Sequence, residues 1–127
     1  MGILIRDLVA DATDLELVGL VTEPGKGKGP GEFHPDLPLL GQDQMAAQLP
    51  AGCVIIDFSL AGALDGLLAQ AGELGAALVS GTTGFSAAQQ ERLDAFAAEH
   101  PVVHASNFSV GIPALQMLLQ MLTDCAV

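Results

Sequence analysis

Basic side chains are scarce in this 127-residue chain, which carries four of them against 15 acidic ones for a formal net charge of −11. Arg6, Lys26, Lys28 and Arg92 cannot neutralise a run of phosphates, which excludes a general nucleic-acid binder. The same shortage disfavours attachment to anionic lipid surfaces. Tryptophan and tyrosine are absent and there are five phenylalanines, so the apolar half of the composition is mainly alanine and leucine. Long hydrophobic runs are lacking too: despite a mean hydropathy of +0.49, every apolar stretch is broken well short of membrane-spanning length. Met1 to Asp7 has no basic leader and meets an acid too early for a signal peptide. The two cysteines, Cys53 and Cys125, form neither a metal-binding nor a redox spacing. Cys53 sits in an apolar strand pattern and reads as a small buried thiol, which fits a reducing cytoplasm. The length suits one domain with a single core.

What is present is an alternation of helix and strand periods. Leu4, Ile5, Leu8 and Val9 recur at helical intervals, and Leu15 to Val21 reads as a strand. Cys53 to Ile56 is a short continuous apolar run, the pattern of a strand covered on both faces. Leu60, Leu64, Leu67, Leu68 and Ala71 mark a helix face, and Ala76 to Val79 is a further strand. The next helix carries Leu93, Phe96 and Ala97, and Ser86 with Gln89 forms a capping box at its start. Val102 and Val103 begin another strand, and Leu115, Leu118, Leu119 and Leu122 stripe a last helix. Short strands alternating with helices predict an α/β fold with a parallel sheet. Between Glu23 and Pro38, four prolines and four glycines predict a mobile loop at the sheet edge. A disordered excursion and a cofactor-covering loop are equally good readings of it.

In open α/β sheets ligands bind beyond the carboxyl ends of the strands. Three polar clusters fall there: Asp57-Phe58-Ser59, Gly81-Thr82-Thr83-Gly84 and Ser106-Asn107-Phe108-Ser109. Three successive strands ending this way predict one shared crevice edge. In the second cluster, the glycines permit close backbone approach and unusual φ, and the threonines offer hydrogen bonds. Taken alone, that motif is more often a plain turn, since strand-to-helix turns commonly use Gly and Thr. Asn107 can both donate to and accept from a carboxamide. Phe108 can lie against a flat ring or simply pack in the core. Asp57 is a candidate base, although a turn-capping aspartate is commoner.

Other constellations fail on geometry. His100 and His104 have a zinc-like separation, but Pro101-Val102-Val103 makes the segment extended and puts them roughly 13 Å apart at about 3.3 Å per residue. His34 has no companion in its loop, and no metal site is expected. Met117 and Met121 lie in a helix without charge from Val110 to Thr123, which suits core or interface packing.

Taken together, Val54-Ile-Ile-Asp-Phe-Ser, Val79-Ser-Gly-Thr-Thr-Gly-Phe and Ala105-Ser-Asn-Phe-Ser-Val-Gly resemble the amino-terminal domain of the 4-hydroxy-tetrahydrodipicolinate (dihydrodipicolinate) reductases of bacterial lysine and diaminopimelate biosynthesis. The resemblance is strongest from Val54 to Leu122. It implies a Rossmann-like parallel sheet with helices on both faces. It also implies hydride transfer from NADH or NADPH to a cyclic unsaturated dicarboxylate. By position, Gly81, Thr82 and Thr83 would contact the nicotinamide ribose region, and Ala105, Ser106, Asn107 and Phe108 would line the nicotinamide end. Ser106 stands where a second alanine is common.

Departures from the family pattern lie at both ends. The family opens with a buried strand and a Gly-x-x-Gly-Arg-Met-Gly turn that holds pyrophosphate at a helix amino end. Here Met1-Gly2 match its last two residues, so Gly2 is the only part of that turn expected in the site and the usual first strand is lacking. Thr22 occupies the position of the family's ribose-binding acid, with Glu23 next to it as the substitute. No arginine is present there to favour a ribose phosphate. The family's His-His-x-x-Lys catalytic segment does not occur, so no catalytic residue is expected within 1–127. The expectation is a partial NAD(P)-binding domain of a longer reductase, inactive alone, whose family homotetramer assembles mainly through the substrate domain. Two rivals remain: another Rossmann-type dehydrogenase domain, and a non-catalytic nucleotide- or partner-binding module that uses the last apolar helix.

Overall fold

The computed structural model describes residues 1–31 and 33–124, with side chains as far as residue 121. Cys125 and the side chain of Leu122 lie outside the described residues. The elements run α1 (Gly2–Asp11), β1 (Leu20–Thr22), β2 (Leu39–Gly41), α2 (Met45–Gln48), β3 (Val54–Asp57), α3 (Leu64–Leu74), β4 (Ala77–Ser80), α4 (Ala87–Ala97), β5 (Val102–His104) and α5 (Gly111–Asp124). Short 3₁₀ turns at Gln42–Gln44 and Ala61–Ala63 lead into α2 and α3. Among the described residues every strand ladder is parallel, so connections between paired strands must cross over, and α3 and α4 serve as crossovers from β3 to β4 and from β4 to β5.

The core follows from the helix and strand periods. In α3, Leu64, Leu67, Ala71 and Leu74 fall on one stripe and are buried. They meet Ile55 of β3, Leu78 of β4, Leu93 of α4 and Met45 of α2 in one cluster. Fully burying such an aliphatic side chain contributes about 1.5–3 kcal/mol, so this stripe holds the crossover helix to the sheet. At its end Gly75 adopts φ +59, a left-handed conformation that suits glycine, and the Ala76 N–H closes back on the Ala71 carbonyl at 2.9 Å. The capping box of α4 forms as expected: the Gln89 N–H donates to Ser86 Oγ (3.3 Å) and the Ser86 N–H to Gln89 Oε1 (3.0 Å).

The α/β class and the parallel pairing agree with the sequence reading, and several details differ. The strand expected over Leu15–Val21 is confined to Leu20–Thr22, because its partner among the described residues, β2, is three residues long and begins directly after Pro38. Neither β2 nor α2 is anticipated by periodicity, since three or four residues are too few to show one. The strands form two sheets, β1-β2 and β3-β4-β5, instead of one. They are tied through the segment after β2: Gln42 Nε2 donates to the Ala63 carbonyl and the Ala46 N–H to Gln70 Oε1, both at 2.9 Å. Shielding of the two sheet faces is unequal. Cys53–Ile56 is expected to be covered on both, yet Ile55 is buried while Val54 is 60 % and Ile56 44 % exposed. α3 and α4 occupy the Ile55 side, whereas α1 buries none of its residues and the described side chains of α5 are all exposed.

Among its described residues the Pro/Gly-rich loop forms no helix or strand, as expected, but it is organised internally. His34 Nδ1 accepts from the N–H groups of Asp36 (3.2 Å) and Leu37 (3.1 Å), and Arg6 Nη1 of α1 donates to the Phe33 carbonyl at 2.7 Å.

Cys53 packs half-buried against the core cluster, and burial pushes its thiol above the ordinary range, partly offset by a backbone hydrogen bond. Because the thiolate is the nucleophile, alkylation of Cys53 at neutral pH should be slower than that of a free thiol. The midpoint of its rise with pH should lie above the roughly pH 8.5 of an ordinary thiol. Iodoacetamide labelling, followed at the Cys53 peptide by mass spectrometry, checks both points.

Candidate functional site

The register of the three-stranded sheet decides where the polar turns emerge. Asp57 pairs with Ser80, and Ser80 with His104, so the last residues of β3, β4 and β5 lie abreast. The turns that follow, Phe58-Ser59, Gly81–Gly84 and Ala105–Phe108, therefore leave from one sheet edge. The shared edge expected from sequence is present.

A buried carboxylate joins them. Asp57 is only 8 % exposed, and its Oδ2 accepts from Ser80 Oγ (3.0 Å) and Thr82 Oγ1 (2.8 Å). Its Oδ1 accepts from the Ser59 N–H at 3.1 Å, the turn-capping contact. The backbone adds to the same junction: the Gly81 N–H donates to the Asp57 carbonyl (2.8 Å) and the Ala105 N–H to the Ser80 carbonyl (3.2 Å). From β5, His104 Nε2 lies 3.1 Å from the Thr82 carbonyl, and its ring is 5.2 Å from that of Phe85. Gly81 permits a close approach: a Cβ there would lie 2.2 Å from Phe58 Cε1. Phe58 in turn meets Phe108, with centroids 5.6 Å apart.

The residues singled out in the sequence divide into two groups. Gly81, Thr82, Thr83, Ala105, Ser106, Asn107 and Phe108 are brought together at this edge. Thr82 is 2 % exposed, while Thr83, Ser106 and Asn107 are exposed. Phe108, 45 % exposed, presents its ring at the surface and is not a core residue. Asn107 Oδ1 caps its own turn, accepting from the Ser109 N–H at 2.7 Å. Gly2, Thr22 and Glu23 stand apart: Gly2 opens α1, Thr22 ends β1 of the other sheet, and exposed Glu23 pairs with Lys26 at 2.6 Å. None of the three shares a hydrogen bond with the β3–β5 turns among the described residues.

Sequence reasoning missed Ser80 and His104, and it placed Asp57 in a turn without seeing its burial. The available signal was register: each directly follows an apolar run expected to be a strand. His100 stacks on Phe96 at 4.3 Å and shares nothing with His104. Among the described residues, no three His, Cys, Asp or Glu side chains group to hold a metal ion. None of the described helices is long and apolar enough to cross a membrane.

Parallel strands joined by helical crossovers, with glycine, hydroxyl and aromatic turns gathered at their carboxyl ends, define an α/β domain of the Rossmann-like, nucleotide-cofactor class. Within that class the chain belongs to the dihydrodipicolinate reductase family, matching the profile described as "Dihydrodipicolinate reductase, N-terminus" over residues 1–108. It is 41 % identical over 122 residues to the 4-hydroxy-tetrahydrodipicolinate reductase of Stenotrophomonas maltophilia (strain R551-3), covering 94 % of this chain and 49 % of the relative. To the enzyme of the same name from Alkalilimnicola ehrlichii it is 41 % identical over 117 residues, covering 88 % of this chain and 44 % of the relative. The chain thus spans about half the length of the curated relatives it matches.

The Gly81–Phe58 contact is directly testable. Gly81→Ala should force the Phe58 ring off Phe108 and destabilise the fold by about 1–3 kcal/mol, the usual range for overpacking. The loss should shrink in a Phe58→Ala background, giving a coupling of about 0.5–3 kcal/mol in a double-mutant cycle read by urea unfolding.

Proposed function

We propose that residues 1–127 act as the cofactor-binding part of a dihydrodipicolinate reductase-like oxidoreductase, holding NADH or NADPH for reduction of a cyclic dicarboxylate. The observation that carries this reading is the meeting of three polar turns at one strand edge in a chain of this family. When bound, the nicotinamide supplies the hydride; the chain's own residues bind, orient and shield. Thr83 offers an exposed hydroxyl beside the Gly81 backbone, and Phe108 offers a flat apolar face next to Phe58. Ala105 and Ser106 present small side chains, which leave room for a ring, and Asn107 adds a carboxamide at the same turn. At the far end, Glu23 and Lys26 are paired after β1. A carboxylate suits ribose hydroxyls and an ammonium suits a phosphate, so both cofactors belong in the test. Gly2, at the start of α1, is the remaining candidate, for the pyrophosphate.

The substrate half, the catalytic segment and the tetramer contacts belong, in this proposal, to the part of the relatives beyond the matched half. The enzyme would work in the cytoplasm, away from nucleic acid and membranes, in keeping with its charge of −11. One observation favours a second reading: Leu115, Met117, Leu118 and Met121 of α5 are exposed, as in a partner-binding module. That alternative predicts self-association through α5 without any nucleotide effect.

Titrating the ¹⁵N-labelled chain with NADH and NADPH separates the readings, because amide shifts report even weak binding. Shifts at Gly81, Thr83 and Ala105–Phe108, with AMP alone moving only the Thr22–Glu23 end, are the expected result. Absence of shifts at millimolar dinucleotide, or shifts confined to α5, would overturn the proposal.

A further inference from the structure

We propose that Asp57 is the positioning residue of the dinucleotide turn, and that the two threonines of that turn have separate tasks, Thr82 anchoring it and Thr83 facing the ligand. This rests on the reading of Gly81–Gly84 as a cofactor contact and deepens it. A carboxylate only accepts, so both hydroxyls that reach Asp57 Oδ2 must donate their hydrogens to it. Ser80 Oγ, having donated, accepts from the Thr82 N–H at 3.3 Å. The Thr82 carbonyl meets His104 Nε2 at 3.1 Å. Its N–H, carbonyl and hydroxyl are thus all engaged within the protein, and the residue is 2 % exposed. The Gly81 N–H is likewise taken by the Asp57 carbonyl. Of the two threonines, the one that can extend its hydroxyl to a ligand is therefore exposed Thr83.

Asp57 organises the division. It is more than nine-tenths buried, and its three acceptor contacts leave its charge satisfied only while β3, β4 and the turn keep their register. The Thr82 hydroxyl is the one contact from the turn itself to that carboxylate, so removing either group should loosen Gly81–Gly84 without touching a ligand-facing atom.

Two readouts test this: amide hydrogen exchange of residues 81–84 without nucleotide, and NADH affinity by titration. Thr82→Val and Asp57→Asn should each raise exchange in the turn by roughly tenfold or more, as expected for loss of a hydrogen bond to a charged group. They should also weaken NADH binding under conditions where urea unfolding shows the variants fully folded. Thr82→Ser, which restores the hydroxyl, should return both readouts to within about twofold of the parent. Thr83→Ala should leave exchange unchanged and weaken NADH alone. Unchanged exchange in Thr82→Val, or unchanged NADH affinity in Thr83→Ala, overturns the assignment. If the parent chain binds no NADH, the ligand-facing task of Thr83 falls with the functional reading, while the exchange arm still decides the anchor. If Asp57→Asn does not fold, the Thr82 pair carries the test.

Discussion

A buried carboxylate must be met by hydrogen-bond donors, because leaving such a charge unpaired in the interior costs several kcal/mol. Asp57 meets this demand with donors from three places: its own turn, the end of β4 and the turn beyond it. Those donors converge only if β3 and β4 pair in the observed register and β4 ends at Ser80. Slipping the pairing by one residue would turn Ser80 to the other face and strand the charge. The alignment of the strand ends, the path of the Gly81–Gly84 turn and the shape of the candidate site thus depend on one side chain.

Around that point the packing is asymmetric. On the Ile55 and Leu78 side the sheet is sealed by α3 and α4. On the opposite side Val54, Ile56 and Val103 remain open to solvent. The site edge draws its rigidity from the sealed side, since the residues preceding Asp57 and Ser80 belong to strands that carry the core. The high negative charge does not conflict with holding a dinucleotide, because backbone amides can hold phosphates where basic side chains are scarce.

Much of this arrangement was legible in the sequence. The α3 stripe, the Ser86–Gln89 cap and the three polar clusters after apolar runs are local patterns, and local patterns survive folding. β2 and α2 were illegible because elements of three or four residues complete no period; they exist through contacts with β1 and α3. The length of β1 was misjudged for a related reason, since a strand extends only as far as its partner. Burial of Val54 and Ile56 was overestimated, because an apolar run states what a strand could bury and not what packs on it. At the site, the cluster residues could be named, but the distinction between Thr82 and Thr83 could not. Adjacent threonines look alike in sequence, and only the position of Asp57 across the strand pair separates them.

The contact between His104 and the Thr82 carbonyl has a consequence for proton bookkeeping. A carbonyl oxygen can only accept, so Nε2 must carry the hydrogen, which fixes the tautomer and leaves Nδ1 as an acceptor. The link from β5 to the turn is therefore directional, the histidine supplying the hydrogen and the turn the lone pair.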